Sequence, residues 1–255
     1  MKQIWVLLAL LLSGAAAADD ATSKILDCMR ANIPSTLRIQ EFDLTSVDPS
    51  GGERTLRGRL FAVRDKGLMR AMIKIKAPPD LNNAAYLIRE GKERDDMYIF
   101  LPALNRVRRV TGGSGASPLF GTDLSYNEVK QVQNAFSGGP ARLEKADTLE
   151  GRAVSVVAMT PITHEDSHYT LMRGWIDQKT CVALKIDFYE GANVRKRLSA
   201  PAAGLKQAGR TWYVTEARMD DLHAKTHTTL KITGLSSGDK LSDRYFNAAN
   251  FYLAD

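Results

Sequence analysis

Residues 68–76 read Leu-Met-Arg-Ala-Met-Ile-Lys-Ile-Lys, and their period is two. Met69, Ala71, Ile73 and Ile75 fall on one side while Arg70, Met72, Lys74 and Lys76 fall on the other, the pattern of a strand with one apolar and one wetter face. A little further on, Met97-Tyr98-Ile99-Phe100-Leu101 is apolar on both faces, so this strand is predicted to be covered twice. A sheet with one face lining an interior and helices packed over it satisfies both patterns. A plain sandwich core satisfies them equally.

The same period extends in both directions. Strands are predicted at 37–47, 55–64, 85–89, 96–101 and 105–110, and, after an interruption, at 142–146, 152–160, 168–176, 182–189, 194–199, 211–219 and 225–233. Turn signals such as Asp65-Lys66-Gly67 and Glu190-Gly191 separate them. The spacing leaves no room for crossover helices, so the sheet is expected to be antiparallel and meandering. Upstream, Ile25, Leu26, Met29 and Ile33 recur at helical spacing before Pro34, which predicts a helix over 20–32. The interruption at 111–138 begins with a Gly/Ser-rich loop whose tip, Pro118-Leu119-Phe120, is apolar. Asp123 or Ser125 is expected to cap a helix running to about Gln133, and the Ser137-Gly138-Gly139-Pro140 run to end it. The segment reads as a lid, or as a connector with its apolar residues tucked away.

The 255 residues are 44% apolar and 25% charged, which places the chain in the ordinary globular class and excludes disorder and low complexity. Lys2, the apolar run 4–12 and Ser13 to Ala18 form an export signal over 1–18, with cleavage expected before Asp19. Residues 19–255 then form one domain, and a Gram-negative periplasm is its expected compartment. Loss of Lys2 lowers the formal charge from +6 to +5. That excess favours anionic surfaces or partners without choosing among them; no base-stacking aromatic motif accompanies Arg106, Arg108 and Arg109 and the chain reads as exported, so nucleic acid is not expected as a partner. In an oxidising compartment Cys28 and Cys181 are expected to form a disulfide, the competing reading being two buried free thiols.

Residues 164–168, His-Glu-Asp-Ser-His, match the zinc-protease pattern by letter, but that chemistry needs a helix, and this segment follows Pro161 without helical periodicity. It reads as a turn. His223 and His227 on a strand would stand roughly 13 Å apart, too far for one ion. No nucleophile elbow, Cys-x-x-Cys pair or phosphate-binding glycine signature is present. The expectation is a protein without catalytic residues, metal or cofactor.

The run Tyr98 to Val129, YIFLPALNRVRRVTGGSGASPLFGTDLSYNEV, resembles the signature of the extended LolA-like proteins known as outer-membrane lipoprotein-sorting proteins. An aromatic-aliphatic strand leads into Leu101 to Leu104, then a basic strand Arg106 to Arg109, a Gly/Ser loop, and Gly121 to Tyr126. The resemblance implies a mainly β fold with some helix: a half-open antiparallel β-barrel around an apolar cavity, with an N-terminal helix and a short helical or loop lid. It also implies a periplasmic carrier that shuttles lipid or lipoprotein acyl chains between inner and outer membranes, serving an RND/MMPL-type transporter and an outer-membrane acceptor. On that reading Met69, Ala71, Ile73, Ile75, Met97, Ile99 and Leu101 line the cavity, and Pro118, Leu119 and Phe120 belong to the lid. Arg106, Arg108 and Arg109 face a membrane, touched transiently, or a partner. The alternative is an envelope protein that regulates a membrane transporter or signalling complex and carries no cargo. The Ser-Pro-Leu-Phe stretch, 117–120, departs from the family pattern and bears on the cargo more than on the fold.

Overall fold

A computed structural model describes residues 6–133, 135–136, 139–161, 168–238 and 243–254, with side chains from residue 19 on, those of 112, 133 and 243 apart. Strands β1 (Leu37–Val47), β2 (Glu53–Asp65), β3 (Leu68–Ala77), β4 (Ala85–Arg89), β5 (Asp96–Leu101) and β6 (Arg106–Arg109) form one antiparallel meander. Strands β7 (Ala141–Leu149), β8 (Arg152–Met159), β9 (Leu171–Asp177), β10 (Ala183–Glu190) and β11 (Asn193–Ser199) form a second. β14 (Glu216–Asp221) lies beside β11, and β15 (Thr226–Gly238) pairs with β14 on one side and with the whole of β1 on the other, which joins the meanders into one thirteen-stranded sheet. Among the described residues the sheet does not close: β6 and β7 are its two edges. This is the half-open antiparallel barrel that the resemblance implies.

Local chemistry sets the hairpins. Lys66 and Gly67, both at positive φ, make the two-residue turn between Asp65 and Leu68, the conformation whose twist suits adjoining strands. The chain between the edges crosses the open side through helix α2 (Tyr126–Gln133). Ser125 caps it: its Oγ accepts the Glu128 N–H at 3.1 Å, and the Glu128 carboxylate accepts the Ser125 N–H at 2.7 Å. The helix expected over 20–32 is the latter part of α1 (Val6–Ala31), which continues through the segment read as an export signal. Among the described residues no helix is long and apolar enough to cross a membrane.

Two apolar layers flank the first meander. The inward layer holds Phe42, Leu44, Met69, Ala71, Ile73, Ile75, Met97 and Ile99. The outward layer holds Phe61, Met72, Leu87 and Phe100, and is covered by the C-terminal segment through Tyr245, Phe246 and Phe251. Phe61 stacks on Tyr245 at 4.8 Å and Phe100 on Tyr252 at 3.8 Å. The strand 96–101 is therefore covered on both faces as expected, though irregular turns, rather than helices, cover its outer side. The wetter outer face expected of residues 68–76 is corrected for the same reason. Met72 and Lys74 are buried there, and the Lys74 ammonium donates to the Ala254 carbonyl at 2.6 Å. One long strand over 211–219 is likewise not found. β13 (Thr211–Val214) pairs with β12 (Leu205–Ala208) in a separate hairpin, and the chain turns at Thr215, whose N–H goes to the Gly204 carbonyl, before entering β14. The strand expected from 168 begins at Leu171.

Candidate functional site

The concave face of the sheet encloses a cavity of about 260 Å3. Its floor is β1, β2, β3, β15, β14, β11 and β10, contributing residues such as Phe42, Leu60, Ile73, Ile75, Ile186 and Leu230. Three separate pieces close it. Across the open side lie Leu119, Phe120, Leu124, Val129 and Val132 from the β6–β7 connection. The end of α1 supplies Met29, Asn32 and Ile33, and the β12–β13 hairpin supplies Trp212, Tyr213 and Val214. At about 260 Å3 the space exceeds the ~150 Å3 that holds a benzene and falls just below the ~300 Å3 at which drug-sized ligand pockets begin.

Each closing piece is tied down by polar contacts at its rim. Asn32, just past α1, donates to the Thr180 carbonyl at 2.8 Å and accepts the Trp212 N–H at 2.7 Å, which links helix, β9–β10 turn and hairpin. The disulfide Cys28–Cys181 fixes α1 to the same turn across 153 residues of sequence. That turn is itself organised by buried Asp177, which accepts both Thr180 donors and a two-pronged contact from Arg152 at 2.6 and 2.9 Å. Burial alone would raise the Asp177 carboxyl, but these hydrogen bonds outweigh it and hold it below its ordinary value.

The lid is fastened on both sides. Toward β4 and β5, the Tyr86 hydroxyl donates to the Tyr126 carbonyl at 3.0 Å, and Lys130 lies 3.3 Å from Asp95. Toward the second meander, the buried Glu128 carboxylate meets Lys196 of β11 at 3.0 Å and accepts a hydrogen bond from the Tyr169 hydroxyl. Lys196 also donates to the Asp123 carbonyl at 2.7 Å, while the Asp123 carboxylate accepts from Thr226 and Thr228 of β15. Burial, followed by the charge of Glu128, pushes the Tyr169 phenol up, and burial raises that of Tyr126 to about 12. Both phenols remain neutral at physiological pH, and that of Tyr169 donates to Glu128.

The residues expected to line the cavity divide. Ile73 and Ile75 reach it. Met69, Ala71, Met97, Ile99 and Leu101 share its apolar layer but pack with Tyr86, Tyr126 and Val129, beneath the lid and outside the free volume. Leu119 and Phe120 are buried over the cavity, whereas Pro118 is exposed beside them. Arg106, Arg108 and Arg109 are exposed on edge strand β6. Arg106 and Arg108 take the face of Leu101 and Ile99, while Arg109 takes the other and pairs with Asp96. His164 lies outside the described residues and His168 is exposed; no group of metal-ligating side chains occurs among the described residues. Arg38, Gln40 and the hairpin residues were not foreseen as lining, because Arg38 and Gln40 interrupt the apolar alternation of β1 that Phe42 and Leu44 continue.

A family model described as an uncharacterized protein matches residues 67–252. A DUF1329 family protein from Desulfovibrio piger is 21% identical, with a TM-score of 0.80 over 89% of this chain and 96% of that one. A protein domain from Vibrio parahaemolyticus named for outer membrane lipoprotein sorting is also 21% identical, with a TM-score of 0.79 over 90% and 97%. A LolA superfamily protein from Nitrosomonas europaea is 16% identical, with a TM-score of 0.68 over 89% and 97%. A sequence search finds no match among curated proteins. The resemblance to the extended LolA-like proteins is thereby borne out at the level of fold.

Proposed function

We propose a carrier role for this chain, which belongs to the family of uncharacterized proteins whose model it matches over residues 67–252 and shares the LolA-like fold. Acyl chains of a lipid or lipoprotein occupy the concave cavity and are passed between the membranes of a Gram-negative envelope. The observation that carries this reading is the cavity itself: a largely apolar space under a polar-latched lid. Each CH2 removed from water contributes about 0.8 kcal/mol, so a sixteen-carbon chain stands on the order of 12 kcal/mol from free water and rarely leaves a bilayer unshielded. A cavity of this kind removes that barrier. Delivery then needs only a difference in affinity between donor, carrier and acceptor, with no covalent step.

Export to the periplasm and exchange with an RND/MMPL-type transporter and an outer-membrane acceptor complete the reading. Arg106 and Arg108, exposed on one face of β6, offer a basic pair for brief contact with anionic membrane. Mass spectrometry of protein expressed into the periplasm and purified without detergent tests it. A stoichiometric acylated molecule in the native protein and its organic extract is the expected result. No such molecule, together with no saturable binding of a fluorescent acyl probe, overturns it.

A further inference from the structure

Arg38 stands on the inward face of β1, one end of a row that continues through Gln40 and Phe42 to Leu44. It is only 9% exposed, and among the described residues it is the one charged side chain that lines the cavity. Its guanidinium donates to the Thr211 hydroxyl and lies 5.9 Å from the Tyr213 ring. No acidic side chain among the described residues pairs with it. The other charges buried nearby are matched: Asp177 by Arg152, Asp187 by Arg197, Glu128 by Lys196.

A cation taken out of water without a counter-charge is costly, and arginine cannot escape the cost by losing its proton. Desolvation accordingly pulls the Arg38 guanidinium below its ordinary value. A guanidinium has five N–H donors in a planar fork that fits an oxyanion with two parallel hydrogen bonds. Near Arg38 the cavity wall is polar or aromatic, with Asn32, Gln40, Trp212 and Tyr213; along the row and under the lid it is apolar. The seven residues from Arg38 to Leu44, six steps along the strand, span roughly 20 Å. The space is therefore amphiphile-shaped: long, mostly apolar, and positive at one end.

We infer that the cavity takes a single acyl chain bearing an anionic oxyacid head, with the head held by Arg38 and the chain running toward Leu44 and the lid. This deepens the carrier reading and rests on it. A volume of about 260 Å3 favours one chain over two. The head is a carboxylate, as in a fatty acid, or a phosphate, as in a lysophospholipid.

Isothermal titration with palmitate, hexadecanol and palmitoyl lysophosphatidic acid, each below its micellar concentration, tests the inference. Wild-type protein is expected to bind at least one of the two anions about 10- to 100-fold more tightly than hexadecanol, the range that a charge-assisted contact supplies, and the tighter of the two names the head. Arg38→Gln should remove most of that preference while leaving hexadecanol within about twofold. Equal affinity for all three in the wild type overturns the inference and leaves the carrier reading standing. Absence of binding by any of them overturns both. Because the preference is read first in the wild type, an Arg38→Gln chain that does not fold leaves the test intact.

Discussion

The Glu128 carboxylate lies 3.0 Å from the Lys196 ammonium, and through this pair the lid helix is held to the wall on the far side of the cavity. Glu128 also completes the N-terminal cap of α2, so the contact that orients the helix is part of the contact that shuts the lid. Lys196→Met leaves the cap intact and deletes the latch. Hydrogen exchange of residues 119–133 is expected to accelerate about 10- to 100-fold, matching the ~1.5–3 kcal/mol of a charged hydrogen bond. Unchanged protection there would show that the contacts left in the variant, the apolar ones of Leu119 and Phe120 and the polar ones of Tyr86, Lys130, Tyr169 and Asp123, hold the lid without Lys196.

Ile73 and Ile99 share one apolar layer but only Ile73 meets the free volume, which separates two effects on the same face. Ile73→Gln should weaken a fluorescent acyl probe about tenfold, through lost apolar contact and a polar group set in the cavity wall. Ile99→Gln should lower the melting temperature while leaving the probe affinity of the folded protein nearly unchanged. Equal losses of affinity would place Ile99 in the site.

Asp177 sets the pH response of the α1 anchor. Its carboxyl is lowered in the folded protein, so it contributes stability above its unfolded value, near 3.9, and loses it as pH falls through the folded one. Asp177→Asn is expected to cost about 2–4 kcal/mol at neutral pH. Thermal melts from pH 7 to pH 3 should show the gap between wild type and variant narrowing below about pH 4. A gap independent of pH would assign the cost to packing.

Phe251 is fully buried between the C-terminal turn and the outward face of the sheet. Phe251→Ala should destabilise the protein by about 3–5 kcal/mol in denaturant unfolding. Acyl-probe affinity below the unfolding transition should stay constant, since the residue lies on the face opposite the cavity. A parallel fall in affinity would mean that the outer covering sets the curvature within.

Most strands were legible because period two survives wherever one sheet face is apolar, as in 68–76, and the β1, β4 and β5 boundaries agree with the expected 37–47, 85–89 and 96–101. The outer covering was not legible. Tyr245, Phe246, Phe251 and Tyr252 follow neither a helical nor a strand period, because they descend from 3-10 turns onto a surface that is itself invisible in sequence. Lys74 shows the consequence: in sequence it marks a solvated face, and in the fold it is buried against the Ala254 carbonyl. The hairpin at 205–214 was hidden for another reason, since Thr211 to Val214 and Glu216 to Asp221 read as one extended run and only the turn at Thr215 parts them. Of the site, Ile73 and Ile75 of the floor and the Leu119-Phe120 tip could be named in advance; the rest of the floor, on strands far apart in sequence, could not, nor could Arg38, because an arginine alternating with a glutamine reads as an outer face.

The two edges of the open sheet, β6 and β7, are consecutive in the chain, and the segment that joins them is the lid. It thus spans the arc of the sheet as a string spans a bow. Shortening that string would draw the limbs together, and lengthening it would let them relax apart around the long β1–β15 ladder. The residues between Arg109 and Ala141 therefore serve at once as the tie between the two edges and as part of the cover of the cavity, so a change of length there would bear on the contents while leaving the strand register untouched.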